Sequence, residues 1–303
     1  MQIAIASSSP VGIPIVDALS KSRHTISYLV TNPDKKTGRG LTTKENSFAE
    51  LVTDYGLEIH KPSTHSELHA LLSDKPVDLV ITTAYGRLIK PEELTLPKHG
   101  WINIHFSLLP QYRGASPVQH AILNGDELTG VSIFHLDEGM DTGPIFNQYE
   151  HRVSPATTTP ELLNDLAQLA SKHVGTVVDD IERGIDPTPQ SSVGISFAGK
   201  FSKDEGRILP SDSALAAERR IRALADNPGV FISFRGSRLA IARANLIDHS
   251  GTPGTLTASK TGLFLHLSDG SLQLVSVTPQ GKKRMTGADF ARGARIAEAE
   301  AFE

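Results

Sequence analysis

Short runs of strand-forming residues punctuate the first hundred positions, and stretches with helical character separate them. Gln2–Ala6, 24–31, 79–84 and Trp101–His105 are rich in Ile, Val and Leu. After the first run, Ile13, Val16, Ala18 and Leu19 recur at helical spacing, and further helices are predicted over 47–55, 66–72 and 91–94. Strands that alternate with helices need crossover connections. Such connections build an α/β domain with a mostly parallel sheet covered by helices on both faces. A longer amphipathic helix follows, with Leu162, Leu163, Leu166, Leu169, Ala170, Val174, Val177, Val178 and Ile181 on its apolar stripe. Thr159 is its predicted N-cap, ahead of Pro160, and Gly184 ends it.

The pattern changes after a Pro/Ser-rich link at 186–192. A helix is predicted at 214–225. Short alternating strands follow at Val230–Phe234, 238–245, 252–259, 262–267 and 272–278, with Gly, Asp and Ser turns between them, and predict a small β-barrel. At 303 residues the chain is long enough for two domains. The boundaries read as 1–187 for the α/β domain, 188–203 for a linker and 204–303 for the barrel. Charge divides along the same line. Residues 1–202 carry 16 Lys/Arg against 23 Asp/Glu, a net −7, whereas 203–303 carry 14 against 11, a net +3. A basic second domain in an acidic chain fits contact with a polyanion, and fits ordinary variation between domains as well.

Several classes of function are set aside. There are no cysteines, so disulfides and thiolate metal sites are excluded, and the composition suits a reducing compartment. No signal peptide is expected at the start, and no run of about 18 apolar residues predicts a membrane span. The first turn reads Ser7-Ser8-Ser9-Pro10-Val11-Gly12 instead of G-x-G-x-x-G, and no phosphate-cradling G-x-x-x-x-G-K-[ST] occurs. Neither a nicotinamide nor an ATP site is expected. The loop at 32–44 carries Lys35, Lys36, Arg39 and Lys44 among turn formers. It reads as a solvated surface loop or as a basic arm that touches phosphates.

Residues 101–144 carry the chemistry. Side chains alternate along a strand, so Asn103 and His105 share one face while Ile102 and Ile104 take the other. The carboxyl end of a parallel strand is where α/β enzymes set their reactive groups. An Asn amide can donate to a developing oxyanion. A His can move a proton or stabilise that oxyanion as the imidazolium. Asp137, Glu138 and Asp141, in an acidic Gly-rich turn, are its candidate carboxylate partners. Taken singly, each residue also has a bland reading: polar groups at a strand end, or an Asp capping its own turn. One His and one Asp make a poor transition-metal set, so no metal is expected.

The ordered combination is more specific than its parts. INIH, SLLP, YRGASP and DEGMDTGP, in this order and at these distances, resemble the signature of the 10-formyltetrahydrofolate-dependent formyltransferases. The likeness extends through the Ser9-Pro10 turn, Gly38-Arg39-Gly40, Ala84-Tyr85-Gly86, the run GKFSKDEGRI from Gly199 and PQGKKRM from Pro279, and is then to the methionyl-tRNA formyltransferase branch. The resemblance implies a Rossmann-like catalytic domain, a linker and a C-terminal barrel of OB type. It implies formyl transfer from 10-formyltetrahydrofolate to methionine on initiator tRNA, in a bacterial cytoplasm, by a monomer that needs no metal or nucleotide. Asn103, His105 and Asp141 match the family's catalytic trio, with Asp141 orienting His105 and raising its pKa or helping to draw a proton off the amine. Ser107, Leu108, Leu109 and Pro110 match the folate-binding loop, and Arg39 matches an arginine that meets the acceptor stem. With the resemblance, Lys35, Lys36, Lys282, Lys283 and Arg284 become tRNA-binding candidates, together with Arg235, Arg238 and Arg243. Two departures stand out: Ser8 replaces a glycine common in relatives, and 227–230 lacks an aromatic. A sister enzyme acting on a glycinamide ribonucleotide or an amino sugar, or one that hydrolyses the donor, would share the trio but would need neither the basic loop nor the barrel.

Overall fold

The computed structural model describes residues 1–37, 42–44, 46–248, 251–260, 262–296 and 299–303, with side chains for all of these except 35–37 and 42–44. The chain divides into two units. One comprises Met1–Pro117, Leu128–Arg152 and Leu163–Ala198; the other comprises Val118–Glu127, Val153–Leu162 and Gly199–Glu303.

The first unit is built on a seven-stranded sheet. Its strands are β1 (Gln2–Ala6), β2 (Thr25–Val30), a separate hairpin β3 (Lys35–Thr37) with β4 (Thr42–Lys44), then β5 (Ile59–His60), β6 (Leu79–Thr82), β7 (Trp101–His105), a short β8 (Arg113–Gly114), β9 (Leu128–His135), β10 (Ile145–Arg152) and a short β11 (Phe197–Ala198). The sheet order is β10-β9-β7-β6-β1-β2-β5. The five strands from β7 to β5 are parallel; β9 runs against β7, and β10 against β9. Burial on both faces explains the unbroken apolar runs: all four residues of β6 and four of the five in β1 are buried. Edge strand β10 alternates polar and half-buried residues instead. The chain enters mid-sheet at β1, runs out through β2 to β5, and returns on the other side at β6 and β7. This order brings the carboxyl ends of β6 and β7 together, with Thr82 the register partner of Asn103.

Helices α1 (Ile13–Ser20), α2 (Ser47–Val52), α3 (His65–Asp74) and α4 (Pro91–Leu94) connect these strands. Asn46 caps α2 and Thr64 caps α3, each accepting from a backbone amide in the first turn. A core cluster gathers Tyr28, Val30, Leu68, Leu72, Val80 and Trp101, whose indole N–H donates to the Glu93 carbonyl. Ser8 takes the place of the common glycine without strain. Its hydroxyl accepts from the Asn32 side-chain amide (2.8 Å), which also donates to the Tyr85 carbonyl (2.7 Å). Helix α5 (Pro117–Asn124) follows β8, and α6 (Thr159–Glu182) is the longest helix among the described residues. The cap of α6 lies one residue before Thr159: Glu161 accepts from both the amide and the hydroxyl of Thr158.

The second unit holds α7 (Ala214–Leu224), then β12 (Val230–Phe234), β13 (Ser237–Ile247), β14 (Thr255–Ser259), β15 (Gly262–His266), β16 (Ser271–Pro279), β17 (Met285–Thr286), α8 (Gly287–Ala294) and β18 (Glu300–Ala301). Its strands pair in the order β12-β13-β16-β15-β14-β18, all antiparallel, with β17 beside β16. Two residues beyond this path close the sheet on itself. Glu303 exchanges both backbone hydrogen bonds with Ser233 on β12 (2.8 and 2.9 Å), and Phe302 beside it is buried. This curled sheet matches the OB-like barrel expected from the resemblance. Ser213 caps α7 and Thr286 caps α8.

Candidate active site

Asn103 and His105 stand on one face at the end of β7, as strand periodicity predicts, and neighbouring strands fix the direction of each. The buried Thr82 hydroxyl on β6 donates to Asn103 Oδ1 (2.7 Å). The acceptor end of the amide is thereby used, and its NH2 remains to donate. His105 Nε2 lies 2.9 Å from the Tyr112 carbonyl. A carbonyl only accepts, so Nε2 carries the proton, and Nδ1 is the free base in the neutral ring. Nδ1 faces Asp141 Oδ2 at 3.7 Å.

That distance is too long for a hydrogen bond, and two lone pairs facing each other have no reason to close it. Burial pushes the His105 imidazole below its ordinary range; the Asp141 charge and the Tyr112 carbonyl pull it back up without winning. The expectation that Asp141 raises the pKa is therefore right for the pair and incomplete for the site. Burial thus favours the neutral ring, with its basic nitrogen facing a carboxylate whose charge favours the protonated form.

Of the three candidate carboxylates the geometry selects Asp141. Asp137 is engaged in the turn itself, accepting from the Gly139 amide (3.0 Å) and the Thr142 hydroxyl (2.7 Å). Asp141 has φ +54°, in the left-handed region, and Oδ2 accepts from the Gly114 amide at 2.7 Å. Two residues on, Gly143 admits no side chain, because a Cβ there would fall 1.8 Å from the His135 carbonyl oxygen.

The 107–110 loop turns directly off β7. Ser107 and Leu109 are buried, whereas Leu108 and Pro110 are half-exposed. Ser132 on β9 threads this loop: its hydroxyl donates to the Ser107 carbonyl (2.7 Å) and accepts from the Leu109 amide (2.9 Å). Gln148 on β10 donates to the Leu109 carbonyl (2.8 Å). Sequence reasoning missed Thr82, Ser132 and Gln148. Only strand register reveals them, since each lies on a different strand from the residue it holds.

Residues read as a linker also reach this site. Thr188 exchanges backbone bonds with Ile145 (2.7 and 2.8 Å), Ser196 accepts from the Arg113 amide (2.9 Å), and β11 pairs with β8.

The tRNA-binding candidates separate into held and free cations. Arg235 forms a two-pronged pair with Glu300 (2.8 and 2.7 Å), and the Arg238 guanidinium lies over the Phe231 ring at 3.9 Å. Lys282, Lys283 and Arg284 are exposed on the turn between β16 and β17, without an ion pair among the described residues. Arg39 lies outside the described residues, as do the side chains of Lys35 and Lys36. Among the described residues one group has metal-ligand spacing, His24 with Asp179 and Glu182, and Arg23 already pairs with both carboxylates. No helix among the described residues is long and apolar enough to cross a membrane.

Comparison with known proteins agrees with this architecture. The formyl transferase family pattern matches residues 1–178, and the formyl transferase C-terminal domain pattern matches 200–295. The chain is 37% identical over 305 residues to the methionyl-tRNA formyltransferase of Salinispora tropica, covering 99% of each chain. It is 38% identical over 306 residues to that of Streptomyces griseus, again covering 99% of each. Among solved structures, HypX from Aquifex aeolicus in complex with tetrahydrofolic acid superposes with a TM-score of 0.68 at 17% identity, over 96% of this chain and 47% of that one, a likeness of fold. With both domain patterns in place and the likeness running end to end, the chain belongs to the methionyl-tRNA formyltransferase family.

Proposed function

We propose that this enzyme moves the formyl group of 10-formyltetrahydrofolate onto the α-amino group of methionyl-initiator tRNA, in a bacterial cytoplasm, with Asn103, His105 and Asp141 as its catalytic residues. The observation that carries the reading is the convergence of three groups on one spot: an amide NH2 whose other end is taken, a buried neutral imidazole with a free Nδ1, and a carboxylate 3.7 Å from that nitrogen. When bound, the folate supplies an electrophilic formyl carbon and N10 as the leaving nitrogen.

The roles follow from the geometry. The neutral amine attacks the formyl carbon, and the carbonyl electron pair moves onto oxygen. The Asn103 NH2 donates to that developing oxyanion. His105 Nδ1 takes the proton the amine must shed, the ring becomes an imidazolium, and Asp141 at 3.7 Å stabilises the new charge. His105 then returns the proton to N10 as the C–N10 bond breaks. The products are the formamide and tetrahydrofolate, and neither a metal nor a nucleotide enters the balance. The 107–110 loop, held from behind by Ser132 and Gln148, is the proposed folate-binding edge, with Leu108 and Pro110 presenting side chains and the others backbone. The exposed Lys282, Lys283 and Arg284 are proposed phosphate contacts, and Lys35, Lys36 and Arg39 are proposed to meet the acceptor stem.

The test supplies 10-formyltetrahydrofolate with methionine-charged initiator tRNA, a glycinamide ribonucleotide, an amino sugar nucleotide, or no acceptor. Formyl-methionine should form rapidly with the tRNA alone. Faster formylation of a small amine, or formate release at a similar rate without acceptor, would overturn the assignment.

A further inference from the structure

Asp141 holds a left-handed backbone, which a residue with a Cβ adopts less readily than glycine and which Asp tolerates in turns. The side chain that bridges this turn is Gln190, which lies in the stretch that reads as a linker. Its Nε2 donates to the Asp141 carbonyl and to the Gly143 carbonyl, both at 2.8 Å. One amide thus spans both sides of the turn. Its Oε1 accepts from Arg113 Nη2 (2.7 Å) and Nε (3.2 Å). The guanidinium fixes the orientation of the amide, because turning it over would set NH2 against a cation and an acceptor against two carbonyls.

Arg113 sits between two further anchors. The preceding carbonyl, of Tyr112, receives the His105 Nε2 proton, and the following amide, of Gly114, donates to the Asp141 carboxylate. Residues 112–114 therefore hold both partners of the 3.7 Å pair, and Gln190 closes the ring from Arg113 back to the Asp141 main chain. We propose that Gln190 is a positioning residue for catalysis, one that sets where the Asp141 carboxylate stands relative to His105 Nδ1. The proposal rests on the reading of Asp141 as a catalytic residue.

The test is a double-mutant cycle on formyl transfer with Gln190→Met, Gln190→Glu and Asp141→Asn. The Met variant removes both polar ends at similar volume; the Glu variant keeps the acceptor for Arg113 and loses the two donated bonds. Each Gln190 variant should lower kcat about tenfold to a hundredfold, the scale of a misplaced catalytic group. The KM for the folate should stay within about twofold, and the acid limb of the pH–rate profile should shift. In the Asp141→Asn background the same Gln190 substitution should cost less than about twofold more, since its target is gone. Circular dichroism and thermal midpoints confirm that each variant is folded. If Asp141→Asn is impaired while both Gln190 variants turn over normally, or if the losses simply multiply, the positioning role is refuted and the trio stands. If Asp141→Asn itself turns over normally, the trio reading fails and the proposal falls with it.

Discussion

Replacing Thr82 by Val isolates one bond beneath the proposed active site. The side chain keeps its shape and loses the hydroxyl that donates 2.7 Å to Asn103 Oδ1. A hydrogen bond of this kind contributes about 1 kcal/mol net, and leaving the acceptor wholly unmet would cost about 1–3 kcal/mol. Asn103 is only half-buried, so water can reach the orphaned oxygen, and the stability loss should sit near 1 kcal/mol. The catalytic loss has a different origin. In the proposed reaction this bond keeps Asn103 Nδ2 turned to the oxygen that would become charged, and losing about 1–1.5 kcal/mol of that restraint in the transition state lowers kcat roughly five- to tenfold. Asn103→Ala removes the donor itself, for which the scale is about 10²–10³. Single-turnover formyl transfer should therefore rank wild type above Thr82→Val above Asn103→Ala, with Thr82→Ser near wild type. A Thr82→Val rate within about twofold of wild type, or as low as that of Asn103→Ala, would refute the reasoning.

Three further outcomes are expected. Gly143→Ala places a Cβ 1.8 Å from the His135 carbonyl oxygen, so the turn that carries Asp141 must move; urea denaturation should show a loss of about 3 kcal/mol or more, with activity lost alongside. His105 has a folded-state pKa below its ordinary 6.5, so the unfolded chain binds the extra proton first as pH falls. Its contribution to stability is complete above about 6.5 and is lost as pH falls through the depressed folded value, and His105→Asn should flatten that part of the stability–pH curve. Replacing Lys282, Lys283 and Arg284 together by Ala should reduce the slope of log tRNA affinity against log salt by about two to three, and folate binding should show no comparable salt dependence.

The residues legible in the sequence are those whose role is local. β1, β7 and β12 fall where apolar runs predict them, because buried strands announce themselves by composition. The shared face of Asn103 and His105 is read from period two alone. Edge strand β10 escaped because its pattern, IFNQYEHR, is mostly polar. Helix α8 escaped because it is short and carries Gly287 and Gly293. What supports the trio was illegible for a different reason. Thr82 lies 21 positions before Asn103, and Gln190 lies 49 beyond Asp141, so neither pairing exists until the sheet is assembled. The Tyr112 carbonyl and the Gly114 amide are backbone groups, about which side-chain identity says nothing. The protonation of His105 depended on weighing burial against a carboxylate, which spacing alone could not do.

The most direct measurement is the single-turnover rate of formyl transfer to methionyl-initiator tRNA for Asn103→Ala, His105→Ala and Asp141→Asn, with tRNA and folate affinities measured on the same preparations. Each variant should bind both substrates nearly as wild type does and transfer the formyl group more than about tenfold more slowly. A variant that binds weakly but transfers at the wild-type rate when saturated would contradict the account, because its residue would then hold substrate and take no part in the chemistry.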